Sequence, residues 1–220
     1  MTIAPRKETI SSRIWAELRG AILRAQLLPE EKINLDALRL RYQTSISPLR
    51  EALARLTADG LVLFEDQRGF RVAPVSREDY VALAALRADL ECMALRDAVA
   101  RGDMAWESGV VRALHRLNRT SHVADPDAWQ SAHDAFHFAL VSGAGRPVLL
   151  QTRTRLAVLG RRYRALAGLS GDGETGPASH EVISAAATGR DASAAVAVLR
   201  AHLEDETQAV LLSTSLTKHH

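Results

Sequence analysis

The chain has 220 residues, with 28 Lys and Arg against 26 Asp and Glu, and is 47% hydrophobic but only 5% aromatic. That length bounds it to one or two domains, and a composition led by Ala, Leu and Arg favours helix over strand. No apolar run is long enough to span a membrane, charges stand where a signal peptide needs an apolar core, and a single cysteine, Cys92, excludes an internal disulfide framework, so cytoplasm is the default compartment.

In chain order, Ile10 to Ala25 carries Ile14, Leu18, Ile22 and Leu23 at helical spacing, which predicts one amphipathic helix stopped by Pro29. Leu35, Leu38 and Leu40 mark a second short helix ending near Tyr42. In YQTSISPLREALARL, residues 42–56, Ser47 is placed to cap a third helix with Pro48 at its first position. Leu49, Leu53 and Leu56 form its apolar stripe. Arg50 then falls in the first turn. The helix dipole disfavours a cation there, but a phosphate or guanine edge would be within reach. Gly60 stops that helix. Leu61–Glu65 and Phe70–Pro74 read as strands of a hairpin turned at 66–69, with Gly69 available for positive φ. Three helices and a hairpin in about 75 residues make a winged helix-turn-helix.

Residues 1–76 hold 12 Lys and Arg against 9 Asp and Glu, a mildly basic head. A boundary is expected at 73–76, giving domains 1–75 and 76–220. Ser76 caps a helix running to Arg101. Further helices are expected at 103–121, 126–142, 147–168, 178–189 and 191–213, with a loop at 170–177. The fold class is therefore mainly α: a winged helix followed by an all-helical bundle. Cys92 reads as a small buried hydrophobe. Arg153 to Arg164 reads as a solvated basic face, with Arg155 and Arg162 as weaker candidates for a pocket wall.

The body's chemistry lies in its histidines. His133 and His137 stand at i, i+4 and share a helix face, a common spacing for a two-point metal clamp. Asp134 points about a quarter-turn away. His180 and His202 lie on two later helices, and each alone is as compatible with a surface or satisfied core position as with a ligand.

Residues 8–75 resemble the DNA-binding domain of GntR-type bacterial regulators. The residues that carry the resemblance are Leu27-Leu28-Pro29, Ser45-Ile46-Ser47-Pro48-Leu49-Arg50-Glu51-Ala52-Leu53, Gly60-Leu61-Val62 and Arg68-Gly69-Phe70-Arg71-Val72. Ile46 stands where that family usually has Arg. Residues 78–215 resemble the FCD effector domain of the FadR branch, through Arg87-Ala88-Asp89-Leu90-Glu91, His133 to Leu140, Ser179 to Ile183, Gly189-Arg190-Asp191 and Ala195 to Leu203.

The resemblance implies a ligand-responsive regulator, read here as a repressor. It would bind a double-stranded operator with inverted half-sites as a homodimer, through Ser45, Ser47, Arg50, Arg55, Arg68 and Gly69. It implies a divalent metal held by His137, His180 and His202. His133 stands where the family has Asp, which makes an all-imidazole set suited to zinc or nickel rather than magnesium or calcium. The effector would be a small organic acid completing the metal shell, with Arg87 as its carboxylate partner; a salt bridge from Arg87 to Glu91 is the competing reading. A metal sensor or a small metal-dependent enzyme would use the same ligands. An enzyme would also need a general base, and Glu181, the nearest in sequence, points off the His180 direction.

Overall fold

The computed structural model describes residues 9–169 and 176–213, and they divide into two compact units between Val75 and Ser76. In the first unit, Thr9 caps α1 (Ile10–Leu23) by accepting from the Ser12 amide. Its buried edge is Ile14, Leu18 and Ile22. The helix ends at Leu23, well before Pro29, because Ala25 turns the chain into the left-handed region at φ 54°. Asn34 caps α2 (Leu35–Tyr42) through the amides of Asp36 and Ala37. Leu38 and Tyr42 face inward, whereas Leu40, expected on the apolar stripe, is 75% exposed.

The third helix corrects the expected cap. α3 spans Ile46–Ala58, so Ser45 is the N-cap residue, Ser47 is helical, and Pro48 sits in the third helical position, still inside the first turn where no amide partner is lost. Leu49, Ala52, Leu53 and Leu56 are fully buried against α1. Gly60, at φ 78°, ends the helix as expected. The hairpin forms as β2 (Val62–Glu65) and β3 (Gly69–Val72), with Glu65 opposite Gly69. A further strand, β1 (Lys32–Ile33), pairs antiparallel with β3 and gives the order β1-β3-β2. Two residues are too few to show alternation, so the sequence reading missed β1.

In the second unit, Ser76 caps α4 (Arg77–Arg101) through the Asp79 amide. Asp103 and Asp125 cap α5 (Met104–Asn118) and α6 (Pro126–Ser142) in the same way, and α7 spans Pro147–Leu166. Pro126 and Pro147 both occupy the first helical position, where a missing N–H costs nothing. α8 (Gly176–Thr188) starts two residues earlier than expected, and residues 170–175 of the expected loop lie outside the described residues. α9 (Ala192–Leu212) is capped by Asp191.

α4 packs against α6, α7 and α9, and α8 lies on α9. The core they enclose includes Leu95, Phe136, Leu140, Ile183 and Leu199, all with no exposed surface. At one end Trp106 donates to the Ala139 carbonyl at 3.0 Å. It also lies so close to Gly102 that a Cβ there would stand 2.3 Å from the indole, so only glycine fits. Cys92 is buried as expected. Among the described residues no helix is long and apolar enough to cross a membrane.

Candidate metal centre and nucleic-acid interface

Ser45, Ser47 and Arg50 all lie exposed on the N-terminal half of α3. Arg50 is the fifth helical residue, not a first-turn residue as the expected cap would have made it. The Ser45 hydroxyl makes no capping bond to the helix. Arg68 is 76% exposed at the hairpin turn, 3.6 Å from the Glu65 carboxylate. Gly69 follows it at φ 82° with open space around its Cα. Arg55 behaves differently from these. Its guanidinium lies 4.3 Å from the Trp15 ring centroid and donates to Ser12 Oγ at 3.2 Å, so it ties α3 to α1.

In the body, α6 supplies His133 and His137, α8 supplies His180, and α9 supplies His202. All four are at most 3% exposed, and one ring nitrogen from each lies within 4.8 Å of the others. His133 Nε2 and His137 Nε2 are 3.2 Å apart. Ser179 Oγ lies 3.1 Å from His202 Nδ1. Second-sphere hydrogen bonds of this kind fix the tautomer of a metal-binding imidazole and turn its other nitrogen inward. His202 Nε2 is buried and has no hydrogen-bond partner among the described residues.

Burial is the first cause that pushes all four imidazoles below their ordinary pKa: His133 and His137 far below, His180 to about 4 and His202 downward. Mutual proximity of the rings adds to the effect for His133, His137 and His180. At neutral pH the cluster therefore presents neutral rings with lone pairs converging on one point. That is the state a metal ion requires, and an orphaned buried nitrogen is costly without one. The residues fit a divalent transition metal.

Beside the cluster runs a buried charge network that sequence reasoning largely missed. Arg87 donates to Glu91 at 3.1 Å and to Glu206 at 3.2 Å. Arg153 reaches Glu91 at 2.9 Å, and Arg164 reaches Glu206 at 2.9 Å. The structure therefore contains the Arg87–Glu91 bridge and extends it. Burial alone would raise the Glu206 carboxyl, but Arg164 and Arg87 hold it well below the usual carboxylate range. Arg153, Arg162 and Arg164 are 3%, 3% and 7% exposed, so the expected solvated basic face is instead turned inward. Burial lowers Arg162 to about 10. Arg155 is exposed. The one available signal was spacing: Glu91 and Glu206 stand four residues after Arg87 and His202.

A cavity of about 300 Å³ opens onto His133, His137, Arg87 and Glu206, with Arg153, Arg161 and Arg164 on its walls and Ala157 and Val158 as apolar lining. Glu181, the base considered for an enzyme, is exposed and bonded to Asn118 at 3.1 Å. Asp134 is also turned outward, to Gln130 and Arg161.

The first unit is a three-helix head with a β-wing, and the second is a helical bundle with a cavity bordered by histidine, arginine and apolar side chains. Residues 10–72 match the bacterial regulatory proteins of the gntR family, and residues 82–205 match the FCD domain. The chain is 36% identical over 195 residues to the HTH-type transcriptional repressor GlaR of Escherichia coli (strain K12), covering 84% of this chain and 89% of that one. It is 34% identical over 207 residues to the regulator BphR of Paraburkholderia xenovorans (strain LB400), covering 89% and 83%. In fold it is similar to a GntR protein from Rhodococcus sp. RHA1, with TM-score 0.76, 24% identity and coverage of 91% and 97%. It is equally similar to E. coli McbR/YncC, with TM-score 0.76, 19% identity and coverage of 93% and 98%. The chain belongs to the GntR family of transcriptional regulators, in the FadR-type architecture that joins a helix-turn-helix head to an FCD effector domain. It binds DNA and is not an enzyme.

Proposed function

We propose that the protein is a homodimeric, cytoplasmic repressor whose helical domain holds one divalent transition metal through His133, His137, His180 and His202. A small organic acid bound beside the metal then changes operator affinity. The observation that carries this reading is the convergence of four buried, neutral imidazoles, two of which, His133 and His137, line a cavity that Arg87, Arg153, Arg161 and Arg164 also border. Imidazole donors suit zinc or nickel. Repression follows the named role of GlaR, the 36% identical relative.

The cavity favours a ligand-responsive regulator over a metal sensor, since a sensor needs no space beside the ion. Arg87, Arg153, Arg161 and Arg164 all border that space, and guanidinium groups suit carboxylate recognition. An effector acts only through different affinities for the operator-competent and operator-incompetent states. Ser45, Ser47, Arg50, Arg68 and Gly69 supply the DNA contacts. One recognition helix reads few base pairs, so two copies on inverted half-sites are required.

The test is metal content of protein purified without an immobilised-metal column, followed by operator binding titrated with metals and with carboxylic acids. About one ion per chain, and an acid that shifts operator affinity only in the metal-loaded protein, are expected. Metal-free protein that binds its acid at full strength overturns the reading. Sedimentation showing a monomer at concentrations that saturate the operator overturns the dimer.

A further inference from the structure

One carboxylate faces the histidine cluster directly. Glu206 Oε1 lies 3.6 Å from His133 Nε2 and 3.7 Å from His202 Nε2, while His133 Nε2 lies 3.2 Å from His137 Nε2. Donors bound about 2.0–2.2 Å from one ion stand about 3.0 Å apart at right angles and about 3.4 Å apart on a tetrahedron. These spacings are therefore close to those of neighbouring ligands on a single ion. We propose that Glu206 is a fifth donor of this centre, an oxygen ligand carried on α9 one helical turn beyond His202. The proposal rests on reading the four histidines as a metal site.

The environment of Glu206 supports a ligand rather than a bystander. The residue is 4% exposed, and each of its two oxygens is held by a guanidinium. Arg164 donates to Oε1 at 2.9 Å and Arg87 to Oε2 at 3.2 Å. A carboxylate offers about four lone-pair sites, so Oε1 can accept from Arg164 and still face an ion. Arg87 is itself fixed by Glu91, which Arg153 holds in turn. The network aims the carboxylate as outer-sphere partners aim metal ligands, and it keeps Glu206 anionic.

A set of four nitrogens and one oxygen exceeds the four-coordinate shell of a closed structural zinc site. It suits ions that accept five or six donors, and it leaves one octahedral position for an effector carboxylate.

The experiment uses the full-length metal-free chain and cobalt(II) as the probe, because its visible d–d bands are intense in four-coordinate sites and weak in five- or six-coordinate ones. The wild type should give weak bands. Glu206→Gln should give intense bands and bind cobalt about 10–100-fold more weakly. Glu206→Asp keeps the charge that Arg87 and Arg164 need but withdraws the oxygen by one methylene. It should fold normally by circular dichroism and show the same spectral change. Intense four-coordinate bands in the wild type, or spectra and affinity unchanged in both folded variants, overturn the assignment and leave the four-histidine centre standing. A wild type that binds no cobalt overturns the histidine centre itself.

Discussion

Lowering the pH should destabilise the metal-free body through its buried histidines. His180 has no exposed surface, and burial holds it at about 4, against an ordinary imidazole value of 6.5. Its folded pKa lies below its unfolded one, so the unfolded chain takes up the proton first. Stability is then complete above about 6.5 and is lost as pH falls toward 4. At pH 5 the gap amounts to about 1.5 units, or about 2 kcal/mol at 1.36 kcal/mol per unit. His133, His137 and His202 are lowered as well and act in the same direction. Glu206 adds nothing between pH 7.5 and 5, because its unfolded counterpart ionises near 4.5 and its folded value lies lower still.

A loss of about 2 kcal/mol is a large part of a usual stability of about 5–15 kcal/mol. At a urea dependence of roughly 2 kcal/mol per molar, it moves the midpoint by about 1 M. The assay is urea unfolding of metal-free protein at pH 7.5 and pH 5. It is followed by the fluorescence of a chain in which Trp15 and Trp106 are replaced by Phe, leaving Trp129, whose ring stacks on His133 at 4.9 Å between centroids. A midpoint that stays constant between the two pH values refutes the argument that the four imidazoles are buried in the neutral form. Saturating zinc should raise the midpoint at pH 7.5, because binding to the folded state alone adds stability.

Arg50→Ala should weaken operator binding by about 1–3 kcal/mol in a folded protein if its guanidinium makes a bidentate base contact; unchanged affinity by fluorescence anisotropy removes Arg50 from the reading surface. Arg55→Ala should instead lower the stability of the head by about 1–3 kcal/mol, through loss of the stacking on Trp15 and the bond to Ser12. Thermal unfolding checks it, and a variant that melts normally but has lost DNA affinity would return Arg55 to the interface. Phe136→Ala empties a site with no exposed surface at the centre of the bundle and should cost about 3–5 kcal/mol in chemical denaturation.

Local chemistry was legible in the sequence wherever it acts along the chain. Ser76 and the prolines at 126 and 147 mark helix starts because capping and fixed φ involve only a few neighbouring residues. The His133–His137 pair was readable because helical geometry alone sets i, i+4 neighbours on one face. Even local reading failed where two caps competed. Ser45 and Ser47 are chemically equivalent, and the helix begins after Ser45.

What the chain could not reveal is convergence between elements far apart in sequence. Two-residue β1 is a strand only because β3 offers it partners at Phe70 and Arg71. Arg153 to Arg164 carries enough charge to read as a solvated face. Within it Arg153 and Arg164 are buried because Glu91 from α4 and Glu206 from α9 reach them and offset the desolvation cost of burying charge, while Arg155 stays exposed. Arg55 shares its charge with Arg50, yet only the position of Trp15 on α1 draws the Arg55 guanidinium onto a neighbouring helix. Residue identity and spacing set which groups could bind a metal or an anion. Helical spacing places Glu206 beside His202 on α9, but tertiary packing alone brought it within 4 Å of His133 on α6, because helix order in space is fixed by burying apolar faces and not by the polar residues those helices carry.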